Sequence, residues 1–238
     1  MPKLEWISDV DLEKAVSFLL QKATEAKEKT DKNFGKNVID PFSAIFEIAG
    51  FQIDYDTWVT SEKNRQSQKT LQNHIGEFHQ NVLGSVSNWE NMKTGNVIDL
   101  VSNKHKIIAE IKNKYNTISG GKLADLYYSL DGLVMPKNSI YKDYTSYYVA
   151  VIPKKKERYN KVFTPSDKSK GAKCPPNEKV REIDGASFYD LVTGKENALD
   201  EMYSALPEII EKCTNGKCKI QDTDKLKVFF NSAFENII

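Results

Sequence analysis

The stretch that most constrains the fold is GNVIDLVSNKHKIIAEIKNKYN, residues 95–116. It contains two short runs of strand-forming residues, VIDLV and KIIAEIK, separated by Ser-Asn-Lys-His, which is a plausible hairpin turn. Both runs are apolar enough to belong to a largely buried sheet, yet they contain Asp99, Glu110 and Lys112. Charged side chains in a buried sheet need a partner, so these three residues are the first candidates for a functional site.

Strand geometry limits where these three side chains point. Residues two apart share a face of a strand, so Glu110 and Lys112 project to the same side. If the two runs pair as a hairpin, Asp99 lies opposite either Ile108 or Glu110. Both registers place Asp99 and Glu110 on one face, whereas a register shifted by one residue would separate them.

Two converging carboxylates repel each other, and burying them unpaired would cost several kcal/mol, roughly. A divalent cation removes that cost, and Mg²⁺ is held in proteins by one or two carboxylates together with waters and phosphate oxygens. Lys112 beside them would position or deprotonate a water and offset charge on a phosphorane. This is chemistry for cutting a phosphodiester. The alternative is a surface hairpin with an ordinary Glu–Lys pair.

Charge is distributed unevenly along the chain. The net charge is +1, but residues 1–60 carry −4 and residues 182–238 carry −5, so residues 61–181 carry +10. An acidic partner met by the middle of the chain would explain this asymmetry, and nucleic acid is the leading candidate. A lysine-rich solvated surface is the alternative.

Hydrophobic periodicity places helices on both sides of the strands. The predicted elements are a helix over about 9–28 that begins with a Ser8–Asp11 capping box, a helix over 65–84, the strand pair, a helix over 122–133, a strand over 147–152, a helix from SFYDLVTG and the run 195–212, and a closing helix over 225–238. This pattern predicts an α/β fold with a mixed central sheet flanked by helices. We expect a single nuclease domain over 1–238, with its catalytic core at about 65–155.

The segment from 153 to 181 is the most basic part of the chain. It has ten basic and three acidic residues, with turn formers throughout, which predicts a long loop region or a binding lobe. Base edges and phosphates both accept hydrogen bonds from Lys and Arg, so this segment is the expected DNA-recognition region.

At this point the sequence resembles a known family. Asp99 followed by Ala109-Glu110-Ile111-Lys112 is similar to the active-site signature of the PD-(D/E)xK nucleases, with Ile98 where the signature has proline. Further segments resemble type II restriction endonucleases of the group that cuts GGNCC or GGWCC sites. These segments are DPFSAIFEIAG (Asp40–Gly50), RQSQKTLQNHIGEFHQ (Arg65–Gln80), AEIKNKYNTISG (Ala109–Gly120), YYVAVIPKK (Tyr147–Lys155), FTPSD (Phe163–Asp167) and REIDGASFYDLVTG (Arg181–Gly194).

The resemblance implies a PD-(D/E)xK core and a homodimer that cuts both strands of a short palindrome using Mg²⁺, alongside a cognate methyltransferase. It makes Asp99 and Glu110 the metal ligands and Lys112 the catalytic lysine. Many such nucleases add an acidic ligand from a helix before the first catalytic strand, and Glu77 is the matching candidate here; a solvated glutamate is the alternative. The closing helix could form the dimer, although core packing explains its phenylalanines better.

Candidate DNA contacts lie at the start of the 65–84 helix, just past the second strand, and in the basic segment. They are Arg65, Lys114, Asn116, Lys154, Lys155, Lys156, Arg158, Lys168, Lys170 and Arg181. The sequence does not divide them into groups that read bases and groups that hold phosphates. A Mg²⁺-dependent restriction endonuclease is therefore the leading hypothesis. A repair or junction nuclease and a DNA-binding module without catalysis are its rivals.

Two other classes of protein are disfavoured. His74 and His79 are five residues apart, which on a helix turns them about 140° from each other, so they do not form the zinc pair of a metalloprotease. No run of 18 apolar residues and no secretory signal pattern occurs. We therefore expect a soluble, cytoplasmic protein with no membrane association.

Overall fold

The central feature of the computed structural model is a mixed β-sheet. The model describes residues 3–93 and 97–234, and within these the main sheet has six strands in the order β1-β2-β3-β4-β8-β5. The strands are β1 (Glu90–Asn91), β2 (Leu100–Ser102), β3 (Ile107–Lys114), β4 (Thr145–Ile152), β5 (Asn160–Val162) and β8 (Val180–Asp184), with a separate hairpin of β6 (Ser166–Asp167) and β7 (Ala172–Lys173). Neighbours in the order β3-β4-β8 are parallel, and the remaining pairs are antiparallel.

Seven helices accompany these strands in the described residues. They are α1 (Asp9–Asn33), α2 (Pro41–Phe51), α3 (Tyr55–Gly84), α4 (Leu123–Val134), α5 (Gly185–Thr193), α6 (Ala198–Cys213) and α7 (Thr223–Phe234). The mixed sheet with helices around it confirms the predicted α/β fold class. None of these helices, over residues 3–93 and 97–234, is long and apolar enough to cross a bilayer.

The chain divides into two compact units. The first comprises residues 1–15 and 79–238, and the second comprises residues 16–78. The first unit contains the whole sheet, whereas the second contains α2 and most of α1 and α3. The single nuclease domain over residues 1–238 stays a prediction.

Helices cover both faces of the sheet in the first unit. On one face, α4 packs Tyr127, Leu130 and Val134 into a core with Ile108 and Tyr148 of the parallel strands. The other face carries Tyr147, whose ring packs against Phe188 of α5 at 6.0 Å between centroids. Because parallel strands buried on both sides lose contact with water, they are nearly all apolar, and an exception among them calls for a functional explanation.

Helix α5 begins unusually close to β4. A Cβ at Gly185 would lie 2.4 Å from the backbone oxygen of Val151, so only glycine fits where β8 turns into α5. Asp184 caps the helix by accepting a hydrogen bond from the backbone N–H of Ser187 at 2.8 Å. Strand β8 and helix α5 are therefore joined with no loop between them.

The second unit is held by contacts among its own helices. Lys63 of α3 pairs with Asp31 of α1 at 3.2 Å, and the rings of Phe18 and His74 meet edge to face at 6.2 Å. The predicted helix over 65–84 is confirmed, but it begins ten residues earlier, at Tyr55. The first helix likewise continues to Asn33, past the predicted end near residue 28.

The basic segment also differs from the loop that the sequence predicts. Four short strands lie wholly or partly within residues 153–181, and β8 among them pairs with β4 inside the main sheet. The sequence prediction missed β8 because Arg181 and Glu182 interrupt its apolar pattern.

Candidate active site

The hairpin register brings Asp99 and Glu110 together. Leu100 pairs with Ala109 in the β2–β3 ladder, so one step further along Asp99 falls opposite Glu110. The backbone N–H of Asp99 donates to the carbonyl of Ala109 at 2.9 Å, so the ladder extends to the residue before the start of β2. This is the second of the two registers allowed by the sequence, and it puts both carboxylates on one face of the sheet.

The backbone holds the Asp99 side chain in place. Its Oδ2 accepts a hydrogen bond from the backbone N–H of Ile111 at 2.7 Å. The side chain of Gln80, near the end of α3, is a further hydrogen-bond partner of this carboxylate. Asp99 is therefore oriented from two elements, α3 and β3.

Glu110 and Lys112 form a pair along the same face of β3. Lys112 Nζ donates to Glu110 Oε1 at 2.5 Å, and the two side chains are only 27% and 13% exposed. The lysine thus supplies a positive charge beside two acidic groups that water reaches poorly.

Burial raises the pKa values of both acids, and repulsion by Asp99 adds to the rise at Glu110. Burial raises the pKa of Asp99, although the hydrogen bond from Ile111 and the charge of Lys112 oppose that change. Burial and the negative charge of Asp99 raise the pKa of Glu110 to about 7, against the opposing effect of Lys112. The raised pKa values indicate that the doubly ionised pair is unfavourable beside Lys112 alone, so an additional cation would favour its ionisation.

The donor set fits a magnesium ion better than a zinc ion. Among residues 3–93 and 97–234, no group of three or more His, Cys, Asp or Glu side chains is arranged to hold a metal. Two carboxylates are nevertheless sufficient for Mg²⁺, which keeps several waters and also binds substrate phosphates. Structural zinc would require four protein ligands, most often Cys or His.

Two predicted site residues lie in the second unit, on α3. The Glu77 carboxylate is 3.1 Å from Nδ1 of His74, one turn earlier on the same helix, and the Glu77 side chain is 42% exposed. Arg65 makes two hydrogen bonds, at 2.5 and 2.6 Å, to the carboxylate of Glu62. The roles of Glu77 as a metal ligand and of Arg65 as a DNA contact stay predictions.

Three of the predicted DNA contacts in the basic segment are engaged within the protein. Arg158 binds Asp190 at 2.5 Å and Ser187 at 3.0 Å, both on α5. The other two also lie beside the sheet and α4: Arg181 bonds Asn160 and Glu178, and Lys170 bonds Tyr128 and approaches Asp167. These contacts make the three side chains weaker candidates for DNA recognition than their neighbours.

The other basic candidates of this segment have exposed side chains. Lys154, Lys155, Lys156 and Lys168 are exposed, and Lys155 has only a distant ion pair with Glu157, at 3.9 Å. Lys114 and Asn116, also exposed, lie at and just past the carboxyl end of β3. Lys112 is only two residues before Lys114. Among the predicted DNA contacts, Lys114 and Asn116 therefore lie closest to the acidic cluster along the chain.

Sequence reasoning missed two neighbours of the cluster. Gln80 has no distinguishing feature in the sequence beyond its place near the end of the second predicted helix. Tyr148 lies beside Glu110 in the parallel β3–β4 register, and burial raises the pKa of its hydroxyl to about 12. The apolar run of β4 indicated a strand. Because α4 lies between β3 and β4 in the chain, the sequence did not predict the register that places Tyr148 beside Glu110.

A mixed sheet flanked by helices, with a partly buried Asp and a Glu-x-Lys pair where two strands meet, is consistent with a restriction-endonuclease-like fold. The chain is a type II restriction endonuclease, a site-specific deoxyribonuclease that acts on double-stranded DNA. Enzymes of this class generally use a divalent metal.

Comparison with known proteins identifies the family. A model of the Eco47II restriction endonuclease family matches residues 4–215, and the chain belongs to this family. The type II restriction enzyme Eco47II of Escherichia coli is 49% identical over 239 residues, covering 98% of this chain and 100% of the relative. The type II restriction enzyme Sau96I of Staphylococcus aureus is 30% identical over 208 residues, covering 86% of this chain and 78% of the relative.

Proposed function

We propose that this endonuclease hydrolyses DNA at a centre formed by Asp99, Glu110 and Lys112, with Mg²⁺ as its metal. The observation that carries the proposal is the poorly exposed pair of facing carboxylates with one lysine beside them. Like charges are costly to bury, and in this cluster one cation already accompanies two acids. A second cation and an anionic phosphate would complete the charge balance.

Asp99 and Glu110 would hold the metal. When bound there, Mg²⁺ acidifies a coordinated water and polarises a phosphoryl oxygen. The protein's part is to hold both carboxylates on one face, which the Asp99–Ile111 hydrogen bond and the β2–β3 register do. Glu77 is proposed as a further ligand from α3.

Lys112 would act on the phosphate. Its ammonium donates to Glu110 in the structure, and it has hydrogens to spare for a phosphoryl oxygen or for the attacking water. A fixed positive charge at this position stabilises the negative charge that builds up on the phosphorane, and it does so more strongly in a poorly hydrated site.

The substrate proposed for this centre is a short palindrome of the GGNCC type in duplex DNA. Lys114 and Asn116 would lie near the scissile strand. Contacts with bases and phosphates are assigned to Arg65, Lys154, Lys155, Lys156 and Lys168. Arg158, Lys170 and Arg181 also belong to the basic segment, but they bind groups within the protein and are assigned a weaker part. Two copies of the chain would act together on the two strands, and a cognate methyltransferase would protect the host's own sites.

The test is cleavage of unmodified phage DNA with Mg²⁺, followed by sequencing of the fragment ends. We expect discrete fragments that end in GGNCC-type sites with the parent protein and with Glu211→Ala, and none with Glu110→Ala. Glu211 is a matched control because it is a partly exposed carboxylate that pairs with Lys219, at 3.7 Å, on α6. Equal cleavage by the Glu110 variant would disprove the proposed centre, and fragments ending at other sequences would disprove the proposed site.

A further inference from the structure

Helix α2 presents an apolar stripe to solvent. Phe42, Ile45, Phe46 and Ala49 follow helical spacing along one side of the helix, and we call these four residues the α2 stripe. Their large members are 73%, 63% and 74% exposed, in chain order. The helix has no buried residue at all. Isolated exposed apolar residues are ordinary, but a continuous stripe marks an interaction surface.

The exposure of the stripe does not come from a poorly formed helix. Asp40 caps α2 by accepting from the backbone N–H groups of Phe42 and Ser43, and Pro41 occupies the first turn. Within the second unit, Trp58 Nε1 donates to Glu47 Oε2 at 3.0 Å, which anchors the helix to α3. Glu47 is turned about 140° from Phe42 around the helix, so the anchor leaves the stripe uncovered.

The charge around the stripe argues against DNA as its partner. Residues 40–56 contain Asp40, Glu47, Asp54 and Asp56 and no Lys or Arg. Surfaces that bind DNA are strongly basic because each phosphate contact replaces condensed counterions. The stripe itself carries no charge, which is typical of the core of a protein interface.

The size of the stripe matches a dimer of this chain. Two exposed phenylalanine rings and one isoleucine offer on the order of 400 Å² of apolar surface. Two stripes facing each other would bury about 800 Å², and at the apolar fraction usual for homodimers the whole contact would reach about 1,200 Å². That value lies within the range of specific complexes. A twofold contact also requires the same patch on both partners, which a single self-complementary stripe provides.

We propose that the α2 stripe is the surface through which two copies of this chain associate about a twofold axis. The proposal rests on the proposed function, since a palindromic duplex needs one catalytic centre for each strand. It assigns the contact to the second unit and not to the exposed part of α7, where Phe229 is 70% exposed.

The test compares Phe46→Glu with Phe229→Glu by sedimentation velocity. We expect the parent and the Phe229 variant to sediment with twice the mass of the 27.1 kDa chain. The Phe46 variant should dissociate, with a dimer dissociation constant raised about 30-fold or more, as for a buried aromatic at an interface centre. A Phe46 variant that remains dimeric, a dimer broken only by Phe229→Glu, or a parent that is monomeric both alone and with DNA in Ca²⁺ would overturn the proposal.

A cross-link provides a measurement that does not depend on a charged substitution. With Cys213 and Cys218 replaced by Ser, Ile45→Cys in the middle of the stripe should form a covalent dimer with a short bismaleimide. Val228→Cys, at a position 63% exposed on α7, should not. The reverse pattern, or no cross-link at Ile45→Cys, would contradict the proposed surface.

Plasmid cleavage separates failure of this proposal from failure of the proposed function. A dissociated Phe46 variant should convert supercoiled plasmid to nicked circles before linear product appears, while the parent makes linear product directly. A parent that dimerises through the stripe but cuts no DNA would overturn the catalytic proposal alone. A Phe46 variant that stays dimeric and loses DNA binding would instead make the stripe a DNA contact.

Discussion

The acidic cluster and the basic segment are both charged regions of the first unit, but they are built in opposite ways. Asp99, Glu110 and Lys112 are poorly exposed, and backbone pairing between adjacent strands sets their positions. In the basic segment, Lys154 and Lys168 are exposed, whereas other cations of the segment bind groups on α4 and α5. Local strand geometry therefore determines the first region, and distant parts of the chain determine which cations of the second remain available.

The largest expected effect comes from the acidic cluster. Glu110→Ala should lower the cleavage rate by roughly 10³-fold or more, because it removes a proposed ligand of the metal that would stabilise the charge of the transition state. Binding to cognate DNA, measured in Ca²⁺ to prevent turnover, should stay close to that of the parent. Loss of binding together with cleavage would show that Glu110 has a structural role, and equal cleavage in Ca²⁺ and Mg²⁺ would contradict the metal account.

A pH titration should distinguish a buried titratable group from the exposed ones. His79 is buried, its Nδ1 is 2.7 Å from the hydroxyl of Tyr189 on α5, and burial lowers its pKa from 6.5 to about 4. Between these two pH values the unfolded chain takes up a proton that the folded protein does not. The contribution of His79 to the free energy of unfolding should therefore fall by on the order of 3 kcal/mol between pH 7 and pH 4.

The measurement is chemical denaturation of the parent and of His79→Gln across this pH range. The stability advantage of the parent should shrink as the pH falls. The raised pKa of Glu110 changes stability in the opposite direction between about pH 4.5 and 7, but it does so in both proteins and cancels in their difference. A difference that is constant with pH would mean that His79 is accessible to protons in the folded state.

Arg158 should behave as a structural residue in spite of its place in the basic segment. Its side chain is 31% exposed and that of its partner Asp190 is 19% exposed, so Arg158→Ala would leave a mostly buried carboxylate without this partner. We expect the free energy of unfolding to fall by about 2 kcal/mol. DNA affinity, measured well below the melting temperature, should change little. A large loss of affinity with unchanged stability would return Arg158 to the set of DNA contacts.

Lys154→Ala should give the smallest and opposite result. The side chain is exposed, so the free energy of unfolding should stay within about 0.5 kcal/mol of the parent value. If Lys154 holds a phosphate, DNA binding should weaken uniformly across sequences, and the slope of log K against log salt should fall by about 1. Filter binding at several salt concentrations measures this slope; an unchanged slope would exclude a phosphate contact.

Much of the fold was predictable because its signals are local. The apolar runs around Asp99 and Glu110 indicated a hairpin. Because side chains alternate between the two faces of a strand, both hairpin registers considered bring the two acids to the same face. Asp40 before Pro41 is likewise a local signal for the start of a helix, although α2 was not among the predicted elements. The partners of Arg158 and Arg181, by contrast, depend on how β8 and α5 pack, and no spacing in the sequence reports that.

The two contacts of the Asp99 side chain matter for the design of a variant that binds its DNA site without cutting it. Its carboxylate is a proposed metal ligand, and it also ties the entry of β2 to the backbone of β3. Replacing it with alanine would remove catalysis and loosen the strand junction at the same time. Glu110 has no such contact with the backbone among the described residues. A clean cleavage-deficient reagent for labelling or blocking target sites should therefore be made at Glu110, with Asp99 left intact.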